Sequence, residues 1–180
     1  MMAVVFYAIY IYWMPYGQFD AVVFWNVNAR FIAQSGDPSM VFRLPYGAHT
    51  DYPPLIPALI GAGWGIFGYS PLVPVVIHGA FLLGMVSIFA LSLPFALALI
   101  ASIVVVPFAA IQYADLPLAF FVVAAFAAYR AKRTDFLVGT LFGLGLFTKN
   151  EGIMLAGIGI FLITIERRRI PFKLLAGLIV

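Results

Sequence analysis

Residues 71–111 read PLVPVVIHGAFLLGMVSIFALSLPFALALIASIVVVPFAAI and contain no Asp, Glu, Lys or Arg. Hydrophobic residues make up 64% of the 180-residue chain, whereas soluble globular domains contain about 45–50%. A helix that crosses a bilayer needs about 20 apolar residues, which Pro71–Leu91 and Pro94–Gln112 each supply. The alternating pattern of outer-membrane strands is absent. This stretch therefore predicts an all-α fold, a polytopic integral membrane helix bundle.

Proline, glycine and charged residues divide the rest of the chain into further apolar segments. Pro54–Tyr69 is short and rich in proline and glycine, so we expect a surface or re-entrant helix there. Phe19–Gln34 mixes aromatic and polar residues, as helices lying at a membrane surface do. The remaining predicted helices are Met1–Met14, Leu116–Tyr129, Phe136–Phe147, Gly152–Ile165 and one that begins in Pro171–Val180. We expect a single transmembrane domain over residues 1–180, with an outer loop at 15–70, that forms the N-terminal part of a larger protein.

The charged residues are few and unevenly placed. Of ten basic residues, seven fall in two clusters, 130–133 and 167–173, which positive-inside topology explains. With both clusters on the cytoplasmic side, alternation of the helices places Asp115, Lys149 and Glu151 on the outer face. Asp20 and Asp51 lie there too if Pro54–Tyr69 does not cross, and on the inner face if it does. The chain has no cysteine, which excludes disulfides and thiol chemistry. It also offers no soluble basic surface for a nucleic acid.

Four short polar motifs stand between the apolar segments. A charge at the centre of a bilayer costs about 2.5–3.5 kcal/mol, so charges kept next to membrane-buried sequence usually have a function. The four motifs are Asp20 with Trp25 and Ala29-Arg30, the run His49-Thr50-Asp51-Tyr52-Pro53-Pro54-Leu55, Asp115-Leu116-Pro117, and Thr148-Lys149-Asn150-Glu151-Gly152.

In this order the motifs resemble those of the GT-C class of membrane glycosyltransferases, near the protein mannosyltransferase and aminoarabinose transferase branch. The resemblance covers the chain but only the N-terminal third or so of such an enzyme. It implies inverting transfer of a sugar from a polyprenyl-phosphate donor to a lipid, glycan or protein acceptor. It further implies a bacterial inner (plasma) membrane location, with the site on the outer face.

The resemblance assigns roles to individual residues. Asp20 matches the catalytic base that takes the acceptor's proton, and Asp115 is the second catalytic candidate. The outer-side cations available for the leaving phosphate are Arg30, Arg43 and Lys149. The substrate-binding candidates are Arg30, His49, Asp51, Tyr52, Lys149 and Glu151. Members of the class differ in their use of a divalent metal, so a metal bound by Asp20 and Asp115 stays open.

Each motif also has a structural explanation. Asp20 and Asp115 are suited to cap the helices that follow them, Asp51 to begin a proline turn, and Lys149 and Glu151 to form a local surface pair. His78, inside an apolar segment, suits a hydrogen bond between helices. Two other functions compete with sugar transfer: a transporter segment, and a non-catalytic or truncated membrane subunit.

Overall fold

The computed structural model describes residues 2–43, 51–168 and 171–179, and within these ranges it contains helices and no strand. The all-α fold predicted from the sequence is therefore confirmed. A π-helical turn at Ala21–Trp25 and a 3₁₀-helix at Pro38–Arg43 accompany the α-helices. The α-helices are α1 Met2–Trp13, α2 Asn26–Ser35, α3 Leu55–Phe67, α4 Leu72–Ser92, α5 Phe95–Ala110, α6 Asp115–Arg130, α7 Asp135–Leu146, α8 Glu151–Arg167 and α9 Phe172–Gly177.

The helix boundaries follow local sequence signals. Pro71, Pro94 and Pro171 each precede the first residue of a helix, where a missing N–H costs little. Thr134 caps α7 by accepting a hydrogen bond from the Leu137 N–H at 3.3 Å. Gly36 ends α2 in the left-handed conformation, with φ of 69°. The predicted segments therefore match the helices closely.

One predicted helix differs in form. The sequence predicts a helix at Phe19–Gln34, and the structure has one, but it widens into a π-helical turn at Ala21–Trp25 before the α-helix at Asn26–Ser35. Five residues of mixed polarity do not distinguish a 3.6-residue repeat from a wider turn, so the sequence pattern could not show this change.

Three buried clusters hold the helices together. The first joins α1, α4, α5 and α6 around Leu82, Met85 and Val106. The second packs Trp25 and α2 against Ile56, Ile60 and Trp64 of α3. The third joins α6, α7, α8 and α9 around Phe142, whose side chain is fully buried. Helix α6 belongs to both the first and the third clusters and so links the two halves of the bundle.

The helices differ in length. In the part of the chain that the structure describes, α4 alone is long and apolar enough to cross a membrane, with 21 residues, or about 31 Å at 1.5 Å per residue. The shorter apolar helices are α1, α3, α5 and α7. Length and composition thus single out one candidate span.

The bundle has two distinct ends. The turns at 14–20, 111–114 and 147–150 meet at one end, here called the site end: the Gln18 N–H donates to the Ile111 carbonyl at 3.1 Å, and the Leu55 N–H to the Phe147 carbonyl at 3.0 Å. Helices α6 and α8 start at this end and finish at the other. That other end, here called the basic end, carries Arg130, Lys132, Arg133 and Arg167 around one cavity.

Candidate functional site

Lys149 is the centre of a charged group at the site end. Its Nζ lies 3.0 Å from Asp115 Oδ1 and 3.4 Å from Glu151 Oε1. The Lys149 side chain is 16% exposed, whereas those of Asp115 and Glu151 are 46% and 50% exposed. Two sequence motifs that stand 34 residues apart therefore share one ion-paired cluster.

The cluster fixes the charge of Lys149. Burial of the ammonium acts to lower the pKa of Lys149, but the hydrogen bonds and negative charges of Asp115 and Glu151 together outweigh burial and raise this pKa above its usual value. Lys149 is therefore a cation throughout the neutral pH range. One ammonium here faces two carboxylates, so the group carries a net negative charge.

Asp51 and Tyr52 extend the cluster toward α3. Asn150 Nδ2 donates to Asp51 Oδ2 at 3.2 Å, and the Tyr52 ring stacks on Trp25 with centroids 5.3 Å apart. Burial raises the pKa of the Tyr52 phenol, and the charge of Lys149 opposes this shift. The nearby carboxylates add to the rise, so the phenol remains a hydrogen-bond donor.

Asp20 reaches the same end through its backbone. Its N–H donates to the Tyr113 hydroxyl at 3.5 Å, and Tyr113 stands two residues before Asp115. The Asp20 side chain makes no capping hydrogen bond. Within residues 2–43, 51–168 and 171–179, its carboxylate has no hydrogen-bond or ion-pair partner, and the residue is only partly exposed.

Other sequence candidates lie elsewhere. Arg30 is exposed and stands over the Tyr69 ring, 5.5 Å from its centroid. Tyr69 follows the C-terminal end of α3, whereas Tyr52 precedes its N-terminal end, so these contacts do not bring Arg30 to Lys149. Arg43 is exposed at the end of the 3₁₀-helix. His49 lies outside the described residues.

The structural explanations for the acidic residues fail in two cases. Asp20 does not cap through its side chain, and Asp115 is the first residue of α6 rather than its cap, with a carboxylate that accepts from Lys149. Lys149 and Glu151 do form a local pair, but the pair includes Asp115. His78 donates from Nδ1 to the Pro74 carbonyl at 2.9 Å, inside its own helix. The expected helix-to-helix bond is therefore not made by this nitrogen.

Sequence reasoning missed three supporting residues. Asn150 stands inside the fourth motif and Tyr113 stands two residues before Asp115, but which acid each contacts depends on the fold. Gln112 is buried with φ of 60°, and its Nε2 donates to the Pro15 carbonyl at 3.1 Å, which ties the Asp20 loop to the Asp115 loop. No local sequence pattern predicts that Gln112 adopts the left-handed backbone conformation.

The metal question depends on the donor set. In the described part of the chain, no three His, Asp or Glu side chains converge on one point. Asp115, proposed above as a ligand beside Asp20, is engaged by the Lys149 ammonium at 3.0 Å. A metal ion bound there would compete with that ammonium for the same carboxylate.

Comparison with family models, with curated proteins and with solved structures finds no significant match to this chain.

Proposed function

We propose that this chain is a polytopic membrane bundle in which α1, α5, α6, α7 and α8 cross the membrane together with α4, while α3 lies at the outer surface. Support comes from the bundle's exterior, which is apolar along whole helices. Helix α5 exposes Phe95, Leu97, Ile100, Ile103, Val104 and Phe108, and α8 exposes Ile153, Met154, Ile158, Phe161, Leu162 and Ile165. A soluble monomer rarely exposes such continuous apolar surface, and an apolar helix shorter than the bilayer core is accommodated by local thinning of the bilayer.

The membrane proposal predicts opposite accessibility at the two ends. Cysteines replacing Asp51 and Glu151 at the site end should react with an impermeant maleimide on intact cells, since both side chains are exposed. Cysteines replacing Lys132 and Arg168 should react only after permeabilisation. The native chain has no cysteine and so gives no background. Equal labelling of all four positions on intact cells would contradict the proposed placement of the two ends on opposite sides of the membrane.

The proposed activity is transfer of a sugar from a polyprenyl-phosphate donor to an acceptor hydroxyl at the outer face. The main support for this activity is that residues from all four sequence motifs meet at the site end of the bundle. Asp115, Lys149 and Glu151 form one ion-paired group, Asn150 holds Asp51, Tyr52 stacks on Trp25, and Asp20 bonds to Tyr113. This end of the bundle therefore has a free carboxylate, on Asp20, and a cation, on Lys149, the two kinds of group that such a transfer requires.

In this proposal Asp20 is the base. The acceptor oxygen attacks the anomeric carbon from the face opposite the phosphate, and its proton passes to the Asp20 carboxylate. The bond between the anomeric carbon and the phosphate oxygen breaks, and its electron pair leaves with the lipid phosphate. Attack from the opposite face inverts the anomeric configuration. Asp115 is held by Lys149 beside this centre, where it orients the acceptor.

Lys149 is the cation proposed to stabilise the leaving phosphate. An ammonium has three N–H donors, and Asp115 and Glu151 account for two of them. The third donor is available to a phosphate oxygen, and the raised pKa keeps Lys149 protonated as the phosphate departs. Arg30 and Arg43 make no contact with this group in the described residues.

The competing functions predict a different placement of charge. Transport sites lie near the bilayer midplane, whereas in α1 and α3–α8 the described Asp, Glu, Lys and Arg residues stand at helix ends. His78 is the buried ionisable residue inside α4, and it lies within two turns of the helix start. This placement favours a surface site over a transport path, while a non-catalytic subunit would lack activity altogether.

The test is a transfer assay with a radiolabelled polyprenyl-phosphate sugar. Membranes that contain the protein should move label from the carrier to an extracted lipid, glycan or protein fraction faster than membranes without it. Product released with the opposite anomeric configuration supports the mechanism. If no donor sugar is consumed while the labelling topology holds, the protein is a membrane subunit without this activity.

A further inference from the structure

The basic end contains a polar cavity that sugar transfer does not use. Its volume is about 470 Å³, and it lies between the last turns of α6 and α8 and the turn that follows α6. The residues that line it are Tyr129, Arg130, Lys132, Arg133, Glu166 and Arg167. Four cations and one carboxylate therefore face a single concave space.

The cations of this cavity differ in their contacts. Arg167 is occupied, because its Nη1 lies 2.5 Å from Asp135 Oδ1 and its guanidinium stands 4.8 Å from the Tyr129 ring centroid. The side chains of Arg130, Lys132 and Arg133 are exposed and have no hydrogen-bond or ion-pair partner in residues 2–43, 51–168 and 171–179. The cavity is thus lined by three cations without a partner in the described residues and by Arg167, which its own contacts hold in place.

Helix ends alone do not account for this arrangement. The C-terminal carbonyls of a helix attract cations, and positive-inside topology places Lys and Arg on the cytoplasmic side. Neither effect requires two helix ends to share one cavity. Lys132 moreover holds φ of 54°, a left-handed conformation that glycine usually takes after a helix, and its N–H bonds to the Tyr129 carbonyl at 3.0 Å.

We propose that this cavity binds the phosphate headgroup of an anionic phospholipid of the cytoplasmic leaflet. Basic pockets between membrane helices on that side suit such headgroups. The neighbouring surface favours a lipid over a free phosphate: Phe136 and Leu137, which follow Asp135 directly, are 48% and 42% exposed. A phospholipid thus finds cations for its phosphate and apolar side chains beside them for its acyl chains.

Native mass spectrometry of the whole detergent-solubilised chain tests this site. The probes are phosphatidylglycerol, phosphatidylcholine with the same acyl chains, and water-soluble glycerol 3-phosphate. The cavity variant combines Arg130→Gln with Arg133→Gln. The charge-matched control combines Arg168→Gln with Lys173→Gln, two exposed residues near the same end that do not line the cavity.

The native protein should hold phosphatidylglycerol in preference to phosphatidylcholine. The cavity variant should bind phosphatidylglycerol roughly thirtyfold more weakly, the effect of two lost charges next to a lipid headgroup, and the control variant should stay within about threefold of the native protein. Glu166→Gln, which removes the lining carboxylate, should tighten binding about fivefold. Circular dichroism and gel filtration verify that each variant keeps its helices.

Three results would overturn the proposal: equal losses in the two double variants, equal binding of phosphatidylcholine, or displacement of the lipid by an equal concentration of glycerol 3-phosphate. The proposal depends on the membrane placement of the bundle and not on sugar transfer. Loss of transfer activity with intact phosphatidylglycerol binding would therefore refute the proposed enzyme and leave this site standing.

Discussion

Replacing Asp20 with asparagine is expected to lower the transfer rate by roughly 10²–10⁴-fold, the usual contribution of a positioned general base. The amide keeps the size of the carboxylate but cannot take the acceptor's proton. Since the Asp20 contact to Tyr113 runs through the backbone N–H, the substitution leaves that hydrogen bond in place. The measurement is the initial rate of label transfer at saturating donor, with donor KM determined separately.

The matched control is Asp37→Asn. Asp37 is an aspartate of the same 15–70 segment, but its oxygens accept from the Ser39 N–H and hydroxyl, each at 2.8 Å, and it makes no contact with the Lys149 group. Its rate should stay within about twofold of the native rate. A native rate for Asp20→Asn would assign the base to another residue, whereas a raised donor KM with unchanged kcat would make Asp20 a binding residue.

The helices could be predicted because the chain marks their limits clearly. Proline and glycine separate apolar runs, and tertiary packing is not needed to see where Leu72–Ser92 or Phe95–Ala110 begins and ends. Packing does decide the π-helical turn at Ala21–Trp25 and the left-handed conformation of Gln112. These depend on how the 14–20 and 111–114 turns press together, which no local pattern records.

The sequence was sufficient to predict which end of the bundle holds the candidate site. The alternating direction of successive helices brings Asp51, Asp115, Lys149 and Glu151 to one end. In the structure Lys149 pairs with Asp115 and Glu151, and Asp51 accepts a hydrogen bond from Asn150. The contacts between individual side chains at that end could not be predicted, because they depend on how each helix is rotated about its own axis. The sequence offers both Arg30 and Lys149 as cations for the phosphate. The rotation of α2 about its axis places Arg30 over the Tyr69 ring and not near Lys149.

Replacing Gly152 with alanine is expected to destabilise the bundle by about 1–3 kcal/mol, the range for overpacking at a tight contact. A Cβ at this position would lie 2.2 Å from the Gly145 carbonyl oxygen and 2.7 Å from its carbonyl carbon. Both obstructing atoms are backbone, so no side-chain rotation relieves the clash, and α7 and α8 must separate. The change should appear as a lower thermal unfolding midpoint of the detergent-solubilised protein, followed by tryptophan fluorescence.

Gly157→Ala, in the same helix, is the control. A Cβ there meets no atom within 4 Å, so alanine should stabilise α8 by up to about 1 kcal/mol through helix propensity alone. Opposite signs at two glycines five residues apart would attribute the loss at Gly152 to its contact with Gly145. The contact between Gly152 and Gly145 brings together the two sides of the turn that contains Lys149, whose ammonium pairs with Asp115. Gly152→Ala should therefore also lower transfer at temperatures where the variant remains folded, and unchanged transfer under those conditions would show that Lys149 needs no fixed geometry.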